Sequence, residues 1–260
     1  MKIIFIRNAT IILEYGGKRL LIDPMLAAKD SYTGLAGTMN SDRRYPCMDL
    51  PFPAADIVKD IDAIFLSHTH RDHWDSESAT LIAKNQKIFV QDNADKNLLI
   101  SQGFNNVSVL GASLEYDNAI SITKTQCQHG TKQAYDNEKI GQALAQVCGF
   151  IFEHKQEPTT YFVSDTIWID AVEQNLIQYQ PDVVILNAGD ARMQDFGPII
   201  MGKDDVLHAH QVLPEAHIVA IHMEAINHAM LSRKALADFL EKEHIRQYVS
   251  IPLEGETLNF

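Results

Sequence analysis

The chain predicts an α/β fold, and three observations carry that expectation. Short apolar runs alternate with helix-like stretches along most of the 260 residues. The run Ile61–Ser67 ends in His68-Thr69-His70-Arg71-Asp72-His73, and a helix-like stretch begins near Ser76. Later apolar runs also end in a lone histidine or aspartate, at strand exits where α/β folds collect function.

Composition limits the choices. A hydrophobic content of 46% with 22% charged residues is that of a globular protein. No repeat, low-complexity tract or linker breaks residues 1–260, so one domain is expected. The formal charge of −12 argues against a nucleic-acid partner. The three cysteines have no C-x-x-C spacing, which fits a reducing compartment. Only four apolar residues separate Lys2 from Arg7, and no apolar run approaches about 18 residues. A cytoplasmic protein without a membrane partner is expected, acting on a small molecule; a homo-oligomer remains open.

Taken in order, residues 2–6, 10–15 and 18–22 read as strands, with Tyr15-Gly16-Gly17-Lys18 a tight hairpin. Asp23-Pro24 ends the third strand. From Met25 to about Ala54 no period is visible, and a loop of that length suits a lid or pocket wall. In it, Arg43 and Arg44 offer guanidinium groups to an anionic substrate, or else form a solvated pair of charges. After the strand Asp62–Leu66 come a strand at Lys87–Gln91, a helix at Asn93–Ser101 and a strand at Val107–Leu110. Extended stretches follow at Ala119–Gln126, Leu144–Glu153 and Thr159–Ser164, with a loop around Tyr135–Gly141. Helices are expected at Ile169–Tyr179, Lys203–Leu213 and Ser232–Glu243, the last with Ser232 as N-cap. Strands at Asp182–Leu186, Ile218–His222 and Gln247–Ile251 complete the pattern.

Four ligand-type side chains within six residues point to a metal site. His68 and His70 lie two apart, so in extended chain their imidazoles share a side, while Asp72 and His73 follow as the chain turns. Imidazole with carboxylate suits zinc, manganese or iron. Of the eleven histidines, His154, His208, His210, His217 and His244 sit in ordinary surroundings. His129, Asp165 and His222 instead each close an apolar run.

H-x-H-x-D-H after an apolar strand, followed by His129, Asp165 and His222, resembles the metallo-β-lactamase superfamily. The opening Asn8-Ala9-Thr10, the Gly-Gly turn and Leu21-Ile22-Asp23-Pro24 are similar to its ascorbate-6-phosphate lactonase-like branch. The resemblance implies a four-layer αββα sandwich and two divalent metal ions. It would assign His68, His70 and His129 to the first metal, Asp72, His73 and His222 to the second, and Asp165 to both. Asp23 would steady the ligands, or serve as a strand-end cap. Two departures stand out: Ser164 replaces a common glycine before the bridging aspartate, and Arg7-Asn8-Ala9 replaces a frequent Gly-His.

Such a centre lowers the pKa of a bound water toward about 7 and supplies hydroxide to a carbonyl carbon or phosphorus. The expected activity is hydrolysis of a small ester, lactone or phosphoester. Asp72 would orient the nucleophile or take its proton, Asn187 would contact substrate, and His228 would give a proton to the leaving group. Structural capping competes for Asn187 and His228, and burial as a small apolar residue competes with a ligand role for Cys127. A nuclease or phosphodiesterase, and a non-catalytic metal-binding protein of the same fold, are the alternatives.

Overall fold

The structure is a computed structural model that describes residues 1–117 and 119–260. Strands β1 (Lys2–Arg7), β2 (Thr10–Tyr15) and β3 (Lys18–Ile22) form an antiparallel meander. Its second turn is Gly16-Gly17, both left-handed, and a Cβ on Gly16 would lie 2.9 Å from Ile120. Helix α1 (Ala54–Ile57), β4 (Ala63–Leu66), α2 (Ser76–Leu81), β5 (Ile88–Val90), α3 (Asn93–Ser101) and β6 (Val107–Val109) continue this sheet in parallel.

The second sheet opens antiparallel with β7 (Ser113–Tyr116), β8 (Ile120–Gln126), β9 (Cys148–His154) and β10 (Glu157–Ser164). Helices α4 (Lys132–Asp136) and α5 (Glu138–Leu144) are inserted between β8 and β9. After α6 (Asp170–Tyr179) and β11 (Val183–Asn187) come a ribbon of β12 (Arg192–Met193) and β13 (Gly197–Pro198) and helix α7 (Lys203–Val212). Strand β14 (His217–Ile221), α8 (Arg233–Lys242), β15 (Val249–Ser250) and β16 (Thr257–Asn259) close the chain.

The two large sheets run β16-β1-β2-β3-β4-β5-β6 and β15-β14-β11-β10-β9-β8-β7. Alternating side chains show how they stack. Ala63 and Phe65 of β4 join Phe150, Phe152 and Phe162 in a core between the sheets, while Ile64 and Leu66 pack outward with Ile57 and Leu99 from helices. Val183 and Ile185 of β11 likewise enter the inner core, whereas Val184 and Leu186 meet Val172, Val206 and Leu236 of α6, α7 and α8. Burial on both faces explains why these runs are apolar at every position. The result is the expected four-layer αββα sandwich.

The 23–54 stretch carries no regular element before α1, and a buried cation organises it. Arg7, fully buried, donates to the carbonyls of Met25 and Ala27 at 2.9 and 2.8 Å and to that of Met48 at 2.8 Å. Burial lowers its pKa to about 10, which leaves it charged. Asp75 caps α2 through Ser78 N and accepts from Ala27 N at 2.7 Å, which fixes the same segment to the helix.

Several sequence expectations need correction. Residues 138–144 are helix α5, so the strand expected at Leu144–Glu153 starts only at Cys148, and the loop around Tyr135–Gly141 is largely helical. Thr131 and Asn137 cap these two short helices at Ala134 N and Ile140 N. The expected Gln247–Ile251 strand shrinks to Val249–Ser250 behind a 3-10 turn at Arg246–Tyr248. Strands β7 and β16 went unread because both are short, half-exposed edge strands with no long apolar period. Among the described residues no helix is long and apolar enough to cross a membrane.

Asn8, Asp23, Ser164 and His222, each at a strand exit, adopt left-handed backbone with φ of 59°, 46°, 67° and 65°. Left-handed φ costs an L-residue about 1–2 kcal/mol, and all four surround one point. At Ser164 the hydroxyl is also buried without a partner. Ser164→Gly is therefore expected to stabilise the fold by about 1 kcal/mol, read as a higher urea midpoint with an unchanged slope. An unchanged or lower midpoint would show that the serine is held by a compensating contact.

Candidate metal centre

The exits of β3, β4, β8, β10 and β14 converge at one edge of the sandwich. Two groups of ligand-type side chains meet there, each with one atom per residue lying within 4.8 Å of the others. The first is His68, His70 and His129; the second is Asp72, His73, Asp165 and His222. Asp165 stands between the groups. Its Oδ2 lies 4.0 Å from His68 Nε2, 3.7 Å from His129 Nε2 and 3.1 Å from His73 Nε2, and its Oδ1 lies 3.6 Å from His222 Nε2.

Hydrogen bonds on the outer side of four of the five rings decide which nitrogen faces inward, while His222 Nδ1 is buried without a partner. Ser67 Oγ donates to Asp23 Oδ2 at 2.6 Å, so it accepts from His68 Nδ1–H at 3.0 Å and leaves His68 Nε2 bare. His73 donates Nδ1–H to Asp23 Oδ2 at 2.9 Å. His129 donates Nδ1–H to the Ile199 carbonyl at 2.9 Å, and His70 donates Nε2–H to the Ala143 carbonyl at 2.8 Å. Three rings thus present Nε2 and one presents Nδ1, each with its tautomer fixed from behind, as metal-ligating histidines require. Asp23 therefore acts behind the ligands, and its other oxygen accepts from Ser67 N at 2.8 Å.

The electrostatics call for positive charge at the centre. His73 Nε2 lies 3.3 Å from His222 Nε2 and 3.6 Å from Asp72 Oδ2, with its own Nδ1 proton already spent. Burial works against charge on His73, but Asp165, Asp72 and Asp23 outweigh it and raise its pKa well above the histidine range. Burial likewise opposes charge on Asp72 and Asp165, yet His73 and His222 hold both carboxyls well below the usual range. Burial depresses His68, and lowers His129 to about 4, so both are neutral imidazoles at neutral pH. Ring nitrogens crowded to 3.3 Å, carboxylates held ionised, and a buried His68 Nε2 with no partner fit a cation-binding centre.

The family profile described as Beta-lactamase superfamily domain matches residues 18–223. The chain belongs to the metallo-β-lactamase superfamily of hydrolases. A UPF0173 protein, YddR of Bacillus subtilis, is 37% identical over the full length of both chains. Among solved structures, an isothiocyanate hydrolase from Delia radicum gut bacteria shares 42% identity with a TM-score of 0.98, covering 100% of this chain and 99% of its own. A possible metal-dependent hydrolase from Veillonella parvula shares 40% identity, again with a TM-score of 0.98 and the same coverage. The narrower likeness to the ascorbate-6-phosphate lactonase branch finds no support in these relatives.

Within this superfamily framework the remaining sequence candidates fall in different places. Asn187, fully buried, donates from Nδ2 to Asp165 Oδ1 at 2.6 Å, which positions that carboxylate, and it is not among the residues that line the cavity. Arg43 and Arg44 are exposed and line no wall of the centre; Arg44 instead donates to the carbonyls of Asp30 and Ser31. Arg192 pairs with Asp190 at 2.9 Å. Cys127 donates to the Val163 carbonyl at 3.3 Å and belongs to neither ligand group.

Sequence reading missed other residues. Asn8 donates from Nδ2 to the Asp72 carbonyl at 3.0 Å and lies 3.1 Å from His222 Nε2. Its one visible signal was a polar residue at the exit of an apolar hairpin strand. The centre opens on a cavity of about 210 Å³ walled by Leu35, Ala36, Leu144, Met193 and Ile199, with His228 at its edge. Among the described residues its one arginine or lysine is Arg71, whose guanidinium rests 4.9 Å above the Tyr32 ring.

Two outcomes test the centre. Divalent metal at about 100 times its Kd is expected to raise unfolding free energy by about 2.7 kcal/mol, and His68→Ala or Asp165→Ala should abolish that gain in a thermal melt with and without chelator. Behind His68, Thr69 Oγ1 donates to Asp95 Oδ1 at 2.6 Å, and burial raises Asp95 to about 6. The unfolded chain loses that proton near pH 4, so Asp95 destabilises the fold increasingly from pH 4 to 6 and fully above it. Asp95→Asn is expected to add about 1–2 kcal/mol at pH 8 and almost nothing at pH 4, measured by urea unfolding at both values.

Proposed function

We propose that the protein hydrolyses a small, largely apolar molecule at one electrophilic carbon, with an isothiocyanate as leading candidate and a small ester or lactone as second. The observation that carries the reading is an apolar cavity of about 210 Å³ opening directly onto both ligand groups. The 42% identity to an isothiocyanate hydrolase over the whole chain supports the choice of electrophile. A phosphoester is disfavoured, since Arg71 alone would face its charge; an anionic substituent at the cavity mouth is compatible with that single guanidinium.

Two divalent cations are part of the reading, one held by His68, His70 and His129, the other by Asp72, His73 and His222, with Asp165 serving both. Zinc, manganese and iron all suit this donor set. When bound, such ions supply an acidic water and a Lewis acid for the substrate's heteroatom. The chain's residues do the rest. Asp72 is kept ionised and aimed by Asn8, and Asn187 keeps the Asp165 carboxylate in register. Leu35, Leu144 and Met193 exclude water from the substrate's organic arm.

The test is a substrate panel with protein stripped of metal and reloaded with zinc, manganese or iron. Phenyl isothiocyanate should be turned over faster than p-nitrophenyl acetate or a γ-lactone, and bis(p-nitrophenyl) phosphate least. Asp165→Ala should lower the rate at least about 100-fold. A phosphodiester turned over fastest, or no carbon electrophile turned over with any of the three metals, would overturn the reading.

A further inference from the structure

We propose that Asn227 locks His228 in the tautomer carrying its proton on Nδ1, so that His228 Nε2 enters the reaction as a proton acceptor. The proposal rests on the hydrolytic reading above for its chemistry, and on a chain of hydrogen bonds for its geometry.

Asn227 is fully buried, and His228 nearly so. Thr38 Oγ1 donates its only proton to the Leu35 carbonyl at 2.7 Å, so it must accept from its neighbour at 3.0 Å, the Asn227 side-chain nitrogen. The same nitrogen lies 3.0 Å from the Met39 carbonyl and 3.3 Å from that of Asn40, and carbonyls only accept. Three acceptors around one end of the amide make that end the NH2 group. The other end, Oδ1, then faces His228 Nδ1 at 3.3 Å, and since an amide oxygen cannot donate, Nδ1 carries the hydrogen. A neutral imidazole has one N–H, so Nε2 keeps its lone pair.

His228 borders the cavity together with Asp72 and His222. With Nδ1 committed to Asn227, Nε2 is the nitrogen left for a water or substrate. Asp72 is less free for that task, because its Oδ2 lies 3.4 Å from both Asn8 Nδ2 and His222 Nε2. His228 therefore accepts a proton before it can give one, which adds an acceptor step ahead of the donor role that sequence suggested.

In the proposed step a water O–H bond breaks and an N–H bond forms at His228 Nε2. The hydroxide oxygen bonds to the central carbon of the isothiocyanate, and the C=N π pair withdraws onto nitrogen. That nitrogen then takes the proton back from Nε2, which restores neutral His228 and leaves a thiocarbamic acid. Asn227 is a positioning residue, and it also ties the ring to the 35–40 segment that walls the cavity.

Two-bond 15N–1H spectra of the zinc-loaded protein read the tautomer directly. A His228 signal with Nδ1 protonated is expected; protonated Nε2 with bare Nδ1 overturns the proposal, whether or not any substrate is hydrolysed. His228→Gly should lower kcat by about 10²–10⁴-fold, with zinc content and KM unchanged. Added imidazole should restore part of the rate in proportion to its neutral form. Rescue that follows imidazolium instead, or a kcat unaffected by the substitution, overturns the acceptor role. Asn227→Ala should give mixed tautomers and a lower kcat at unchanged zinc content; if it does not fold, the first two measurements still decide. The base is assayed with whichever carbon electrophile the panel shows to be turned over, so loss of the isothiocyanate reading alone is seen in the wild-type protein and is distinct from failure of the clamp.

Discussion

The carboxylate of Asp23 is the constraint on which the centre depends. It takes three protons, from Ser67 N, Ser67 Oγ and His73 Nδ1, and thereby joins the exit of β3 to that of β4. Through Ser67 it sets the tautomer of His68 in the first ligand group, and through its own oxygen it sets His73 in the second. Charge-assisted hydrogen bonds of this kind are about twice as strong as neutral ones, and no water competes with them at a fully buried carboxylate. Loss of Asp23 would leave His68 and His73 without their orienting carboxylate and three buried donors without their acceptor.

That arrangement requires the chain to leave its strands sharply. The left-handed residues Asn8, Asp23, Ser164 and His222 provide the sharp exits. Gly189 belongs to the same construction: a Cβ there would come within 1.9 Å of the His222 carbonyl. Backbone strain is concentrated where the ligands are, and the packed sheets on either side hold it in place.

Sequence reading went furthest where chemistry and pattern coincide. A histidine or aspartate that ends an apolar run is visible without coordinates, and His129, Asp165 and His222, found that way, join the four residues of H-x-H-x-D-H in the two ligand groups. Strands β4, β11 and β14 were legible because both faces are buried, which makes their cores apolar, whereas β8 shows its strand character by alternation. What stayed hidden depends on distant partners. Arg7 looks like a surface charge until three carbonyls of the following segment enclose it. Asn227 gains meaning only from Thr38, far away in the chain. Helices α4 and α5 are too short for a period, and their caps outweigh weak local propensity. Arg43 and Arg44 were singled out by residue type, but their direction is set by the fold of the loop, which turns Arg44 back onto its own backbone.

The carbonyls behind His70 and His129 belong to Ala143 and Ile199, and both residues also line the cavity. His73, by contrast, is braced by Asp23 deep in the sheet scaffold. His70 and His129 are therefore mounted on the wall that meets the substrate, whereas His68 and His73 are mounted on the frame. A substrate that presses on that wall also presses on the rings behind it. Substitutions that widen or narrow the cavity at Leu144 or Ile199 would retune His70 and His129 along with specificity, while His68 and His73 stay fixed.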